Sequence, residues 1–240
     1  MKGRSAGSVQ PQGVVFHVEH GTVTLDSPET LGDFSSACTE MGLHLTAHQR
    51  DQFRAYHKLL LEWNARINLV SRQDQHRIFT RHFVDSLSIL PHLRVRFPCR
   101  AADLGSGAGL PGIPLKILLP ELDLTLIECK RKKALFLERL CSELGLDLCT
   151  VVRSRAEELA GAREYAASYH LVLARLVSST ARVCALARPL LAPGGLLICY
   201  KGPEGIDDLL SVSCVLQPFG CVSLPHALSR PAAFVLFVRK

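Results

Sequence analysis

The sequence lacks the features that mark membrane-spanning, disulfide-stabilised and zinc-binding proteins. No apolar run approaches the roughly 20 residues that a membrane span needs, because Arg175, Arg182 and Arg188 interrupt the most hydrophobic region. The basic start is not followed by an apolar core of signal-peptide length. The nine cysteines form no Cys-x-x-Cys pair and lie mostly in apolar stretches, as buried thiols do. His44 and His48 have no further ligand at metal-binding spacing. We therefore expect a cytoplasmic protein without a metal site.

The composition is that of a globular chain. Of its 240 residues, 48% are hydrophobic and 21% are charged, enough for one domain or slightly more. The 28 Lys and Arg residues against 22 Asp and Glu residues give a net charge of +6. That sign suits a polyanionic partner, but the charge is too small to identify one.

Two regions precede the first predicted strand. Residues 1–40 are rich in Gly, Ser, Gln and Pro and are predicted to be a poorly ordered extension. Residues 41–95 are predicted to form a small helical cap. In this cap Thr46 and Gln49 have capping-box spacing before an amphipathic helix, and a second helix is predicted from about Asp74 to Leu90.

Residues 96–240 alternate between β-rich runs and helical patterns, which predicts a doubly wound, Rossmann-like α/β domain with a parallel sheet. Strands are predicted near residues 101–104, 122–128, 148–153, 171–175, 196–200 and 234–238. Helices are predicted at 111–119, 130–144 and 179–191.

The strongest local pattern is a glycine-rich loop that follows the first of these strands. Gly105, Gly107 and Gly109 alternate after the acidic residue Asp103, so a tight turn would turn bare backbone N–H groups toward a ligand. A dinucleotide fingerprint would need its third glycine at Leu110 and therefore does not match. The pattern is instead typical of methyltransferases that use S-adenosylmethionine, although a purely structural turn is the alternative.

Two later strand ends carry candidate cofactor ligands. Glu128 follows Gly109 by 19 residues, where an acid can accept hydrogen bonds from ribose hydroxyls. Its alternative is a surface acid beside the following lysines. Ala156 and Glu157 follow the third strand, beside the position of the adenine in such folds.

Motifs for several acceptor classes are missing. The segment 174–179 has no Asn/Asp-Pro-Pro-aromatic motif, which disfavours exocyclic amines. The single Pro-Cys, at Cys99, precedes the first strand of the α/β domain and cannot supply the nucleophile of carbon-5 pyrimidine enzymes. What remains favours an acceptor that is already nucleophilic, such as a ring nitrogen, which needs positioning rather than a general base.

Five motifs occur in a fixed order and together point to one specific protein family. They are Arg81-His82-x-x-Asp85-Ser86, the run from Asp103 to Leu115, Lys132-Lys133-Ala134-Leu135-Phe136-Leu137, Arg155-Ala156-Glu157 and Lys201-Gly202. Together they resemble the bacterial glucose-inhibited division protein B family over residues 45–240. The resemblance implies a class I S-adenosylmethionine-dependent methyltransferase fold and transfer of a methyl group to guanine N7 in 16S ribosomal RNA, within the small ribosomal subunit.

The resemblance also implies which residues bind the cofactor. Gly105 and Leu110 would line its methionine end, in the same loop as Asp103 and Gly107. Glu128 would bind the ribose, Ala156 and Glu157 the adenine, and Arg175 would close the site near the reacting centre. Two departures from the family pattern, His170 and Leu176, put the wall of this pocket in question.

Other residues are candidates for catalysis and RNA binding. Arg175 and Lys201 are the candidate catalytic residues, holding the guanine edge or a phosphate. Arg81, His82 and Asp85, with Lys201, are the candidate RNA-binding residues. The alternative for Arg81, His82 and Asp85 is a network that ties the cap to the sheet. We expect a monomer, and the alternative function is methylation of a small molecule or a protein side chain.

Overall fold

Helices and strands alternate from residue 99 to residue 201, as predicted. The computed structural model describes residues 30–93, 96–175 and 179–201 in full, and beyond them the backbone of three strands. The strands are β1 Val15–Phe16, β2 Cys99–Leu104, β3 Leu122–Ile127, β4 Cys149–Val152, β5 Tyr169–Arg175, β6 Leu191–Lys201, β7 Gln217–Ser223 and β8 Phe234–Arg239. The α-helices in these ranges are α1 Leu31–Glu40, α2 Ala47–Asn64, α3 Val84–Leu87, α4 Gly112–Leu118, α5 Arg131–Glu143, α6 Ala156–Gly161 and α7 Thr180–Leu190.

The strands form one sheet in the order β1-β7-β8-β6-β5-β2-β3-β4. From β6 to β4 all neighbours are parallel, and β8 is antiparallel to both β6 and β7. The chain runs outward from β2 through β3 to β4 and then returns to β5 on the other side of β2. The strand order therefore reverses between β2 and β5, where doubly wound sheets bind their ligands.

Alternating side chains divide the hydrophobic core between the two faces of the sheet. In β2, Ala101 packs in a core with the cap, α4 and α5, whereas Ala102 packs on the opposite face with α7. Leu171 and Val172 of β5 divide in the same way. This period of two is what a strand covered on both sides requires.

The cap begins earlier than predicted. Residues 31–40, assigned from the sequence to a poorly ordered extension, form α1, and the side chains of Phe34 and Cys38 are fully buried. The helix begins with a capping box, in which Asp33 N–H donates to Thr30 Oγ1 and Thr30 N–H donates to Asp33 Oδ2. This correction moves the boundary of the cap to about residue 30. Of residues 1–29, only the backbone of β1 is described.

The second predicted cap helix is not one continuous α-helix. Residues 72–77 form a 3₁₀ turn, residues 78–83 form a π turn, and only α3 is α-helical. The π turn is defined by the Val84 N–H, which donates to the Phe79 carbonyl five residues earlier. Five of its six side chains are buried, so the segment has no simple amphipathic stripe.

Three further differences from the predicted elements concern short or irregular segments. α6 lies between two predicted strands, where no helix is predicted. β7 is not predicted because Pro218 and Gly220 interrupt its pattern. β6 begins at Leu191, five residues before the predicted strand, and contains a register shift at Pro193-Gly194-Gly195.

Candidate active site

The carboxyl ends of the parallel strands meet at one edge of the sheet and form the candidate site. Leu104 of β2 pairs with Ile127 of β3 and with Ala174 of β5, and Arg175 pairs with Tyr200 of β6. This register places four of the predicted site residues at the same edge: Asp103, Glu128, Arg175 and Lys201.

The N–H groups of the glycine-rich loop already have acceptors within the protein. The Gly105 N–H donates to the Ile127 carbonyl at 2.9 Å, and the Gly109 N–H donates within the loop at 2.7 Å. The Gly107 N–H donates to Glu128 Oε2 at 3.1 Å. The expectation that these N–H groups are bare and face a ligand is therefore corrected. They fold the loop, and that of Gly107 orients the acid at the end of β3.

Gly109 allows the cap to pack directly on this loop. Its φ is +88°, and a Cβ at this position would lie 2.8 Å from Ile113 Cγ1 and 2.9 Å from Tyr56 Oη. Tyr56 is fully buried and its hydroxyl donates to the Ala108 carbonyl at 2.6 Å. Tyr56 is therefore a core residue, and it joins α2 to the loop.

Asp103 is a fully buried carboxyl group beneath the loop. Its Oδ2 accepts from the Gly112 N–H at 3.0 Å, whereas its Oδ1 has no hydrogen-bond donor among the described residues. Burial raises the pKa of Asp103 to about 7, against the lowering effect of the Gly112 N–H. Oδ1 therefore keeps its lone pairs for a further hydrogen bond.

Glu128 is also buried, with 6% of the residue exposed. Its Oε2 accepts from the Gly107 N–H, and its Oε1 accepts from the Lys130 N–H at 2.8 Å. A carboxylate accepts about four hydrogen bonds, so each oxygen keeps a lone pair. Two hydrogen bonds from the backbone fix the carboxylate, and the remaining lone pairs can receive two neighbouring hydroxyls.

The other predicted cofactor ligands lie on both sides of these acids. Ala156 begins α6 and is half-buried, while Glu157 is exposed and its Oε1 pairs with Arg182 Nη2 of α7 at 2.5 Å. Hydrogen bonds, among them that from Arg182, lower the pKa of Glu157. The Leu110 side chain packs in the core on the cap side of the sheet.

Arg175 points into the cap. Only 10% of its side chain is exposed. Nη1 donates to the His82 carbonyl at 3.3 Å and to Ser86 Oγ at 3.4 Å. Nη2 contacts His82 Nδ1 at 3.1 Å and donates to Asp85 Oδ2 at 3.2 Å. The end of β5 is thus tied to the cap through both terminal nitrogens of one guanidinium.

This arrangement corrects the predicted RNA-binding role of His82, whereas RNA contact by Arg81 and Asp85 stays a prediction. His82 is buried and faces Arg175, so it cannot also grip an RNA backbone. Asp85 is engaged with the same arginine, and half-buried Arg81 forms an ion pair with Asp74. The alternative interpretation, a network between cap and sheet, describes these contacts. Lys201 ends β6 at the edge of the site and is half-buried.

One of the two sequence departures, His170, lies away from the candidate site. His170 lies at the start of β5, at the opposite edge of the sheet, where its Nδ1 accepts from the Arg100 N–H at 3.0 Å. Its predicted effect on the pocket is therefore corrected. Leu176 lies outside the described residues.

Two residues at the site were missed from the sequence. The Tyr200 hydroxyl donates to the Ser86 carbonyl at 2.8 Å and fastens β6 to the same cap segment. Lys133 Nζ lies 3.9 Å from the position of a Cβ on Gly107. Lys133 belongs to the family motif that begins at Lys132, and this motif is the sequence signal that could have indicated it. Tyr200 has no such signal, because its surroundings indicate only a strand.

Within residues 30–93, 96–175 and 179–201, no three His, Cys, Asp or Glu side chains are grouped as metal ligands would be. In the same ranges no helix has the length and apolarity to cross a membrane.

Comparison with known sequences identifies the family. The family model described as rRNA small subunit methyltransferase G (GidB) matches residues 49–217. The chain belongs to this family. The ribosomal RNA small subunit methyltransferase G of Staphylococcus epidermidis RP62A is 36% identical over 186 residues, covering 78% of this chain and 77% of the relative. That of Alkaliphilus oremlandii is 33% identical over 180 residues, covering 75% of each chain.

Solved structures show the same fold at low sequence identity. The crystal structure of MtNAS in complex with MTA and tNA has a TM-score of 0.56 and 15% identity, covering 88% of this chain and 75% of the other. A SAM-dependent methyltransferase from Aquifex aeolicus has a TM-score of 0.51 and 12% identity, covering 65% and 89%. The fold is that of class I methyltransferases, as predicted.

Proposed function

We propose that this protein transfers a methyl group from S-adenosylmethionine to N7 of a guanine in small-subunit (16S) ribosomal RNA. The observation that carries the proposal is the family match over residues 49–217 on a chain whose fold presents two buried carboxyl groups at the switch point of the sheet. The relatives' printed activity favours ribosomal RNA over a small molecule or a protein side chain as the acceptor.

The residues at the site fit the proposed donor. S-adenosylmethionine has ribose hydroxyls and an ammonium group, both hydrogen-bond donors, and a positively charged sulfonium. Glu128 is fixed by two backbone N–H groups and keeps lone pairs for the hydroxyls. Asp103 Oδ1, which lacks a donor among the described residues, can accept from the ammonium. Ala156 and Glu157 are proposed to border the adenine.

The bound donor supplies an electrophilic methyl group. Guanine N7 carries a lone pair and no proton, so no residue of the chain has to act as a general base. The protein contributes the approach geometry and the electrostatics of a site shielded from water. Both terminal nitrogens of Arg175 donate hydrogen bonds to the cap, which directs them away from the N7 lone pair. Its Nε–H, which makes none of these bonds, is proposed to contact O6 or a phosphate, with Lys201 on a phosphate.

The N7 edge of guanine faces the major groove, which side chains cannot enter in A-form RNA. The target is therefore proposed to lie in a loop or to be flipped out, within a folded small-subunit particle. A monomer that acts in the cytoplasm without a metal remains a prediction, as does the boundary between the cap and the α/β domain.

The test uses small ribosomal subunits from a strain that lacks the gene. Purified protein and donor with a labelled methyl group are incubated with these particles, and 7-methylguanosine is mapped by chemical cleavage of the RNA. One new modified guanine is expected. Labelling of another atom, or of ribosomal protein alone, would overturn the proposal.

A further inference from the structure

The contact between His82 and Arg175 fixes the chemical form of the histidine. A guanidinium has only donors, so the 3.1 Å contact of Arg175 Nη2 with His82 Nδ1 requires a lone pair on Nδ1. The imidazole proton must then be on Nε2, and Nε2 has no partner among the described residues. The form of His82 that holds Arg175 is the neutral Nε2–H tautomer.

The surroundings of His82 keep it neutral. Only 7% of the residue is exposed. Burial, with the charge of Arg175 as the next cause, lowers the pKa of His82 to about 3. Arg77 and Arg81 lower it further and Asp74 raises it. A second positive charge facing Arg175 is thereby avoided over the physiological pH range.

His82, in the π turn, offers Arg175 two acceptors, its carbonyl oxygen and its imidazole Nδ1. The His82 carbonyl accepts from Ser86 Oγ at 2.6 Å as well as from Arg175 Nη1, while the imidazole Nδ1 faces Arg175 Nη2. The Ser86 carbonyl in turn accepts from Tyr200 at the end of β6. π turns occur frequently at functional sites because they redirect a few backbone and side-chain groups.

We propose that His82 is a positioning residue for methyl transfer. Through Nδ1 and its carbonyl it fixes the Arg175 guanidinium at the carboxyl end of β5, and it makes no contact with RNA itself. The inference rests on the proposed function, in which Arg175 contacts the target guanine or its phosphate. Asp85 and Ser86 supply the other two acceptors of this clamp.

Two substitutions of His82 distinguish the role of Nδ1 from that of Nε2. Asparagine places an amide oxygen where Nδ1 lies, whereas glutamine places its amide near the Nε2 position. His82→Asn is therefore expected to keep kcat on small-subunit particles within about threefold of wild type. His82→Gln is expected to lower kcat roughly ten- to hundredfold, because a misplaced group at the reacting centre costs that much. The KM for the particle should change little in either variant.

A matched control comes from the same segment. His76 is exposed on the 3₁₀ turn, so His76→Gln should leave both kcat and KM unchanged. Thermal unfolding and calorimetric binding of the donor are measured for every variant at the assay temperature. If His82→Gln and His82→Asn have equal kcat, or if the loss lies in KM and in the salt dependence of RNA binding, His82 is not a positioning residue.

The tautomer of His82 can also be measured by NMR spectroscopy, in an experiment that does not depend on methyl-transfer activity. In two-bond ¹H–¹⁵N correlation spectra of the wild-type protein, assigned by comparison with His82→Asn, His82 should show the Nε2–H tautomer and should not titrate between pH 5 and 8. An Nδ1–H tautomer or a titration in this range would overturn the inference. An inactive wild-type enzyme that shows the expected spectrum would instead contradict the proposed function alone.

Discussion

Gly109→Ala offers a quantitative test of how the cap and the glycine-rich loop are packed. The new methyl group would lie 2.8 Å from Ile113 Cγ1, 2.9 Å from Tyr56 Oη and 3.3 Å from Leu137 Cδ2, all of them in buried side chains. Overpacking of this kind costs about 1–3 kcal/mol. Displacing Tyr56 from the Ala108 carbonyl costs about 1 kcal/mol more.

The matched control is Gly145→Ala, at the end of α5. Gly145 has a φ of +60°, like Gly109 in the left-handed region, but a Cβ there would meet nothing within 4 Å. Both variants carry the backbone cost of a left-handed alanine, about 1–2 kcal/mol. Only Gly109→Ala adds the packing cost, so the free energies of unfolding of the two variants should differ by about 2–4 kcal/mol.

The assay is urea unfolding of wild type and both variants, followed by far-UV circular dichroism at pH 7. A difference below about 0.5 kcal/mol between the two variants would refute the packing argument. A Gly109→Ala protein that is as stable as Gly145→Ala but no longer binds the donor would show that the glycine serves the ligand directly. The structure predicts instead that Gly109→Ala loses stability relative to Gly145→Ala.

Two further predictions concern charged groups at the same edge of the sheet. The pKa of Asp103 is raised to about 7, so the folded state holds its proton more tightly than the unfolded state between about pH 4 and 7. The free energy of unfolding of wild type should therefore fall as pH rises through this window, and the fall should be smaller for Asp103→Asn. Denaturant melts at a series of pH values measure both profiles, and parallel profiles would contradict the prediction. Lys201→Ala should weaken binding to small-subunit particles and reduce the slope of log affinity against log salt by about 1. Arg139→Ala, on the exposed face of α5, should leave the slope unchanged, and equal slopes in both variants would remove Lys201 from the RNA interface.

The fold could be predicted from the sequence where local patterns and packing agree. The capping box of Thr46 and Gln49 predicts the start of α2 correctly, and the apolar period after it predicts an amphipathic helix. The buried strands of the parallel sheet were found because each is a short apolar run bounded by turn residues. The elements that were missed carry weaker local signals. β7 contains Pro218 and Gly220, and α1 follows a long polar segment.

The candidate site could be predicted in outline but not in its internal contacts. The spacing of Gly109 and Glu128 was enough to place both at one edge of the sheet, because strand ends in a parallel sheet share an edge. No sequence pattern shows that Arg175 turns toward the cap. That direction depends on acceptors from the π turn and α3, about 90 residues earlier, and the irregular geometry of the π turn has no propensity signal.

The carboxyl groups at the switch point of the sheet are proposed to bind the methyl donor. Titration calorimetry with S-adenosylmethionine on wild type, Glu128→Gln and the exposed control Glu138→Gln tests this binding most directly. We expect Glu128→Gln to bind the donor roughly ten- to hundredfold more weakly, since hydrogen bonds to a charged acceptor are lost, and Glu138→Gln to bind it like wild type. Equal affinity in Glu128→Gln and wild type, or no binding to wild type, would show that these carboxyl groups do not bind the donor.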